Sequence, residues 1–273
     1  MKLSEFGPSL YHSTRLKLIP AHKIRQKATE QLPLVVSLTT IPTRLGKVAL
    51  TVRSLLKTRP QPEKIVLWLN DQLQDATPSQ LSNLQGDVFE IRYSPYTFSH
   101  RKLIHSLEAF PKATIVTVDD DMIYHPKVFD LLYKTHLKYP GTVIANRIRY
   151  ISYDASGNVL PYLQWPHVSD ASESVDSMMP VGACGVLYPP GIFDQRVTDV
   201  DLIQKISPKS DDLWFKTMAL LRGTKARLAP EMAPDPIPIM GSQKVALKKI
   251  NNKQDYKRVQ WEHIAAYFNI NLK

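Results

Sequence analysis

An α/β fold with a mostly parallel central sheet flanked by helices is what this sequence predicts. Three observations lead there. Short apolar runs of strand length alternate with segments of helical periodicity through the first half of the chain. Proline, glycine and polar residues punctuate them. The fourth apolar run, 113–118, ends in three consecutive aspartates, Asp119, Asp120 and Asp121.

Taken in order, 34–38 (LVVSL) is short and apolar, hence a buried strand. Residues 46–58 follow with Val48, Val52, Leu55 and Leu56 at helical spacing, and Pro60 and Pro62 break the pattern. Residues 65–69 (IVLWL) form a second strand that ends in Asn70 and Asp71. Thr77 and Pro78 read as a helix start, with threonine as cap and proline in the first turn. Residues 88–93 form a third strand. The segment 101–110 is a helix with Leu103, Ile104 and Leu107 on one face. Strand 113–118 then runs into the aspartates.

A βαβαβαβ order places helices on both faces of a parallel sheet. Ligands in such sheets bind beyond the carboxyl ends of the strands. The loops 39–45, 70–74, 94–100 and 119–125 are therefore expected along one edge. The second half is less regular and predicts a smaller mixed region. It has a hairpin-type turn at 154–158, a polar loop at 169–177 and an apolar stretch with two glycines at 181–188. A helix at 211–222 is closed by Gly223. Residues 232–238 are proline-rich. A last helix at 255–268 has Tyr256, Val259, His263 and Tyr267 along one stripe.

Three adjacent carboxylates repel and disfavour one another's ionisation. A hard cation such as Mg²⁺ or Mn²⁺ removes that cost, binding one or two carboxylates together with substrate phosphates. Side-chain alternation on an extended chain would turn Asp119 and Asp121 one way and Asp120 the other. The alternative is a solvated acidic turn after a strand. Their position on the carboxyl edge favours a functional site.

Composition narrows the partners. The chain has 273 residues and 43% hydrophobic content, enough for one large α/β domain or two small ones with a real core. No run of about 18 apolar residues occurs, and the first residues lack the apolar core of a secretory signal. The single cysteine, Cys184, excludes an internal disulfide and a Cys-rich metal site. These features suit a cytoplasmic protein. The net charge of +10 points to an acidic partner. Basic residues concentrate at both ends: Lys2, Arg15, Lys17, Lys23, Arg25 and Lys27, then Lys244, Lys248, Lys249, Lys253, Lys257 and Arg258. No RNA-binding signature, zinc finger or regular basic-aromatic spacing appears, which argues against nucleic acid. An anionic membrane surface fits better, with two solvated ends as the bland alternative.

Four segments together resemble a GT-A-fold glycosyltransferase of the bacterial surface polysaccharide or lipopolysaccharide type. These are VVSLTTIPTRL at 35–45, TIVTVDDDMIYHP at 114–126, VGACGVLYPPGIF at 181–193 and SDDLWFK at 210–216. The resemblance covers most of residues 33–230. It implies a Rossmann-like catalytic domain over 33–230, with a nucleotide-sugar half at 33–125 and an acceptor half at 126–230. A basic segment at 1–32 and a basic helical segment at 231–273 flank it. It implies a metal-dependent, inverting hexosyltransferase that uses Mn²⁺ or Mg²⁺. The sugar of a UDP-type donor would pass to a saccharide or lipid-linked saccharide at the inner membrane's cytoplasmic face.

The same resemblance distributes roles. Asp121, with Asp119, would hold the metal and diphosphate; Asp119 or Asp120 would lie near the ribose. Thr39, Thr40, Pro42, Arg44, Asn70 and Lys102 would line the donor, with His100 beside them. Asp212, then Asp211, would be the base that takes the acceptor hydroxyl proton; helix capping alone explains one of that pair. Gly182, Ala183 and Trp214 would face the acceptor, although a core tryptophan explains Trp214 equally. His263 is a candidate third metal ligand, against the reading that it simply packs in its helical stripe.

Other chemistries remain in view. A sugar-nucleotide nucleotidyltransferase shares the fold but needs a glycine-rich phosphate loop after the first strand, and 39–44 contains no glycine. A metal-dependent phosphohydrolase would need further metal-spaced ligands. A basic nucleic-acid- or membrane-binding scaffold explains the charge and leaves the aspartates without a role.

Overall fold

The computed structural model describes residues 3–242 and 255–272. Lys244, Lys248, Lys249, Lys253 and Lys2 lie outside the described residues. The elements run α1 (Leu3–Leu18), α2 (Ala21–Ile24), β1 (Gln31–Thr39), α3 (Val48–Leu56), β2 (Gln61–Asn70), α4 (Ser79–Ser82), β3 (Phe89–Ser94), α5 (Arg101–Ala109) and β4 (Thr114–Thr117). Next come β5 (Met122–Ile123), α6 (Val128–Lys138), β6 (Val143–Ala145), β7 (Ile148–Tyr150), β8 (Met178–Pro180) and β9 (Val186–Tyr188). The chain continues with α7 (Val200–Ile206), α8 (Asp211–Leu221), β10 (Ala226–Leu228), β11 (Ile237–Pro238) and a C-terminal helix, Tyr256–Phe268.

Seven strands form the main sheet in the order β10-β6-β9-β4-β1-β2-β3. The pairs β1–β2, β1–β4, β2–β3 and β6–β10 are parallel. Strand β9 runs antiparallel between β4 and β6. This is the Rossmann-like, mostly parallel arrangement the sequence predicts. Two small antiparallel pairs, β5–β11 and β7–β8, supply the mixed region.

Residue alternation along the strands builds two cores. Leu34, Val36, Leu38, Ile65, Leu67 and Val116 face one layer, against α3 and α6. Val35, Val66, Trp68 and Ile115 face the other, against α5, α8 and the C-terminal helix. Full burial of each such side chain stabilises the fold by about 1.5–3 kcal/mol. Central strands buried on both faces read as continuous apolar runs, which is why β1, β2 and β4 were legible.

Some expectations need correction. The helix start at Thr77 and Pro78 opens only a four-residue helix, and Thr77 Oγ1 donates to the Leu73 carbonyl instead of capping. The C-terminal helix buries Gln260, Trp261 and Ile264, not the stripe through His263. Trp261 is the anchor, with its indole N–H on the Tyr153 hydroxyl at 3.0 Å. The basic N-terminal segment contains a 16-residue helix, α1, for which the sequence reading made no assignment. Among the described residues no helix is long and apolar enough to cross a membrane.

Helix α1 is tied to the rest of the fold by polar contacts. Ser9 is buried; its Oγ donates to the Pro238 carbonyl at 2.7 Å and accepts from the Met240 amide at 3.1 Å. Arg53 on α3 donates through Nη1 to the carbonyls of Leu16 and Ile19, at 3.0 and 2.7 Å. These are C-terminal carbonyls that a helix cannot satisfy itself. Arg53→Met keeps the apolar stem and removes the charged donor, at a cost of about 1.5–3 kcal/mol. We expect faster amide exchange confined to residues 3–18 while β1, β2 and β4 stay protected. Unchanged exchange in α1 would show that Arg53 does not hold it.

Candidate active site

The carboxyl ends of β1, β2 and β4 meet at one edge of the sheet, and buried hydrogen bonds stitch their loops together. Arg101, at the start of α5, is 2% exposed. It donates to the Thr39 hydroxyl and to the backbone carbonyls of Thr40 and Tyr96, spanning the loops after β1 and β3. Asn70 donates to the carbonyls of Ser94, Pro95 and Tyr96 and accepts from the Gln72 amide. Both residues hold the walls of the cleft, with their polar atoms committed to internal partners, mostly backbone.

The aspartate triplet does not alternate as an extended strand would. Strand β4 ends at Thr117, and Asp120 and Asp121 occupy a turn. Asp120 and Asp121 consequently share one partner: Arg44 Nη1 lies 2.6 Å from Asp120 Oδ1, and Arg44 Nη2 lies 3.2 Å from Asp121 Oδ2. Asp120 also accepts from the Thr40 hydroxyl. Asp119 points elsewhere, to Lys102 Nζ at 2.9 Å, and its side chain is 35% exposed. Tyr124 fixes this end of the strand, accepting from the Asp119 amide at 2.8 Å and donating to the Ala183 carbonyl at 3.0 Å.

Lys102 is the hinge of the electrostatics. It is buried, and Nζ lies 2.9 Å from both Asp119 Oδ1 and Asp211 Oδ2. Burial opposes its charge, but Asp119, Asp211 and Asp212 outweigh burial and hold it protonated well above the ordinary lysine range. Its backbone is pinned as well: the Ser37 hydroxyl on β1 donates to the Lys102 carbonyl, and Ser106 donates to Ser37 at 2.8 Å.

Asp211 and Asp212 open α8 but are set apart by their partners. For Asp211, burial would raise the carboxyl's pKa, and the Lys102 charge overrides it, holding the group far below the usual carboxylate range. For Asp212, burial dominates and the adjacent Asp211 charge adds to it, so its pKa is raised despite Lys257. Asp212 Oδ1 accepts from the Gly182 amide at 3.1 Å, and Oδ2 takes Lys257 Nζ at 2.8 Å. A Cβ on Gly182 would sit 2.7 Å from Asp212 Oδ1, so only glycine allows this approach. Lys257 comes from the C-terminal helix and packs over the Tyr162 ring at 4.8 Å. Sequence reasoning assigned it to a basic tail. Its spacing of three, four and seven to Gln260, Trp261 and Ile264 was the signal that it faces inward.

The structure thus gathers Arg44, Lys102, Asp119, Asp120, Asp121, Asp211, Asp212 and Gly182 at one place, with Thr39, Thr40, Ala183 and Asn70 as its frame. Pro42 lies exposed in the 3-10 turn Pro42–Arg44. Two expected residues fall outside. Trp214 is fully buried, with its indole N–H on the Val197 carbonyl at 2.9 Å, so it offers no stacking surface. His263 is exposed on the outer side of its helix, whose inward face is set by Trp261, and is not a third metal ligand. Among the described residues no three His, Cys, Asp or Glu side chains are grouped to hold an ion by themselves.

His100 is fully buried against Phe98 and Phe215, and neither ring nitrogen has a hydrogen-bond partner. The Ser210 backbone lies close without meeting hydrogen-bond geometry. Burial pulls its pKa from 6.5 to about 4, against the nearby Asp211 charge.

No protein-family model matches the chain, and neither does any curated protein. Solved structures do match. One is 4-diphosphocytidyl-2C-methyl-D-erythritol synthase from Anaerococcus prevotii, with a TM-score of 0.51 and 11% identity, covering 86% of this chain and 99% of that one. A second is CMP:2-keto-3-deoxy-manno-octonic acid synthetase complexed with CTP, with a TM-score of 0.40 and 12% identity, covering 84% and 100%; this likeness is too weak to argue from. At such identities the likeness establishes the fold alone. The first of these is named for a diphosphocytidyl-polyol synthase and not for a glycosyltransferase. It corrects the expectation drawn from the four motifs. The assignment to glycosyltransferases is withdrawn, and with it hexosyl transfer, the UDP-sugar donor and the polysaccharide or lipopolysaccharide setting. The motifs mark the carboxyl edge of a shared fold, which several chemistries use.

The buried His100 has a measurable consequence. Between pH 6.5 and about 4 the unfolded chain takes up a proton on this histidine and the folded protein does not. Stability therefore falls as pH drops through that window. The full difference is about 3 kcal/mol. Chemical denaturation at pH 7 and at pH 4.5 should show His100→Phe losing much less stability than the parent on acidification. An equal loss in both proteins would place the proton uptake elsewhere.

Proposed function

We propose that this chain is a nucleotidyltransferase that joins a nucleoside monophosphate to a phosphorylated polyol or sugar. The observation that carries the reading is the charge of the carboxyl-edge cluster. Asp119, Asp120, Asp121, Asp211 and Asp212 are set against Arg44, Arg101, Lys102 and Lys257, leaving one carboxylate charge in excess in a largely buried place. Such a cluster favours a divalent cation arriving with a polyphosphate. The fold likeness to a synthase of a diphosphocytidyl-linked polyol supports the same chemistry and makes cytidine the first nucleotide to test.

The donor set fits Mg²⁺ or Mn²⁺ in a limited sense. Asp119 is hard, accessible and at the cleft, and Asp121 is the second carboxylate we assign to the ion. Mg²⁺ asks no more of a protein when a nucleotide supplies the remaining oxygens. When bound, the cation would neutralise charge on the transferring phosphoryl group.

In the reaction, a phosphate oxygen of the second substrate attacks the α-phosphorus of a nucleoside triphosphate. The bond from that phosphorus to the bridging oxygen breaks, and pyrophosphate leaves. The chain's part is positioning and charge. The turn after β1 has no glycine cradle in residues 39–44, so Arg44 and Lys102 would grip phosphates as side chains. A phosphate nucleophile is already ionised near neutral pH, its second pKa being about 6. Asp211 and Asp212 are thus not needed as bases; we assign them, with Gly182 and Lys257, to holding the second substrate's hydroxyls and phosphate.

The test is pyrophosphate release from CTP, ATP, GTP or UTP with a panel of phosphorylated polyols and sugars in Mg²⁺. Release should require both substrates. Asp119→Asn should lower turnover by roughly a hundredfold or more, with the circular dichroism unchanged because the residue is partly exposed. No release with any pair, together with thermal stabilisation by nucleotide-sugars and none by triphosphates, would overturn the reading.

A further inference from the structure

Helix α1 has two unlike sides. Ser9, Ser13 and Leu16 are buried against the fold, at 0%, 8% and 8% exposure. Phe6, Leu10, Tyr11 and Leu18 are exposed at 46%, 49%, 63% and 77%. At 100° per residue these four span an arc of roughly 140° that starts at Phe6, on the flank of the docked face, and runs round to Leu18 and Tyr11 on the side away from the fold. A folded protein has no internal reason to spend large apolar side chains on the outside of a helix already anchored by its other face.

The charges around the arc say what covers it. On the same helix Arg15 borders the arc beyond Tyr11 and Lys17 lies within it between Phe6 and Leu10, and Lys23, Arg25 and Lys27 follow directly, all exposed. Among the described residues none of these five forms an ion pair with a carboxylate. By contrast, Lys257 and Arg258 at the other end of the chain pair internally with Asp212, Asp255 and Glu262. Unpaired surface cations beside outward apolar side chains are the two components of interfacial binding to anionic lipid. A second copy of this basic face would meet like charge.

We propose that the outward arc of α1, with Phe6, Leu10, Tyr11 and Leu18 alongside Lys17 and Arg15, lies in the headgroup layer of an anionic bilayer. The helix rests parallel to the surface, with its Ser9 side still docked on the protein. The attachment is peripheral and salt-sensitive, because the cations act over a Debye length. It leaves the carboxyl-edge cluster untouched and stands independently of the reaction assigned to that cluster.

The experiment uses the full chain and sedimentation with vesicles of phosphatidylcholine, alone or mixed with phosphatidylglycerol. Binding should need phosphatidylglycerol, fall about tenfold or more at high salt, and be lost in the double variant Phe6→Ser, Leu10→Ser. The native tryptophans are all buried. A reporter introduced as Leu18→Trp should therefore shift to the blue and be quenched by brominated lipid only on the mixed vesicles. Equal binding to both vesicle types, no binding at low salt, or full binding by the double variant would overturn the proposal. Lipid-free dimerisation abolished by Phe6→Ser, Leu10→Ser, with vesicle binding unchanged, would overturn it in favour of a second copy.

Discussion

One buried ammonium group holds the candidate site together. Lys102 touches Asp119 from the sheet edge and Asp211 from the start of α8, 2.9 Å from each. Removing Asp211, the more buried partner, would leave an uncompensated charge, which typically costs about 3–5 kcal/mol. The two halves of the molecule are therefore fixed to each other at this point. The loops at the carboxyl edge cannot drift from α8 without stranding either the lysine or its carboxylates.

The same constraint explains the polar chain beneath it. Trp68 Nε1 donates to Ser106 at 2.8 Å, Ser106 to Ser37 at 2.8 Å, and Ser37 to the Lys102 carbonyl. Hydroxyls buried between a sheet and a helix are costly unless each has a partner. Here they are satisfied in series and set the register of α5 on β1 and β2. Lys257 does for Asp212 what Lys102 does for Asp211. The adjacent aspartates thus acquire opposite titration behaviour from their surroundings, although their chemistry is identical.

Legibility followed the range of the interactions. The strands β1, β2 and β4 and the helices α3, α5 and α8 could be read from local pattern, because burial on a face is written in periodicity. Asp119–Asp121 could be found because a charged run at a strand end is locally anomalous. Arg44 was found with its loop. The antiparallel β9 was not recognised, since an apolar stretch with glycines carries no direction. The partners of Arg101 and Asn70 were not legible for another reason: a polar side chain near a cleft looks the same in sequence whether it reaches a ligand or a backbone carbonyl. Trp214 and Trp261 show the same limit for aromatics. Each fills the core and points its indole N–H at one internal acceptor.

The sequence by itself determined the fold class, the carboxyl edge where the charged loops gather, and most of the charged residues found there. These depend on periodicity and on the order of elements, which are properties of neighbours along the chain. Tertiary structure alone decided which charge meets which. A turn at Asp120 and Asp121 gave both to Arg44 and left Asp119 to Lys102. A helix 45 residues downstream brought Lys257 to Asp212. The anchored side of α1 was likewise set by Ser9 meeting Pro238, 229 residues away. Pairings of this kind depend on distances closed by folding, and no spacing in the chain records them.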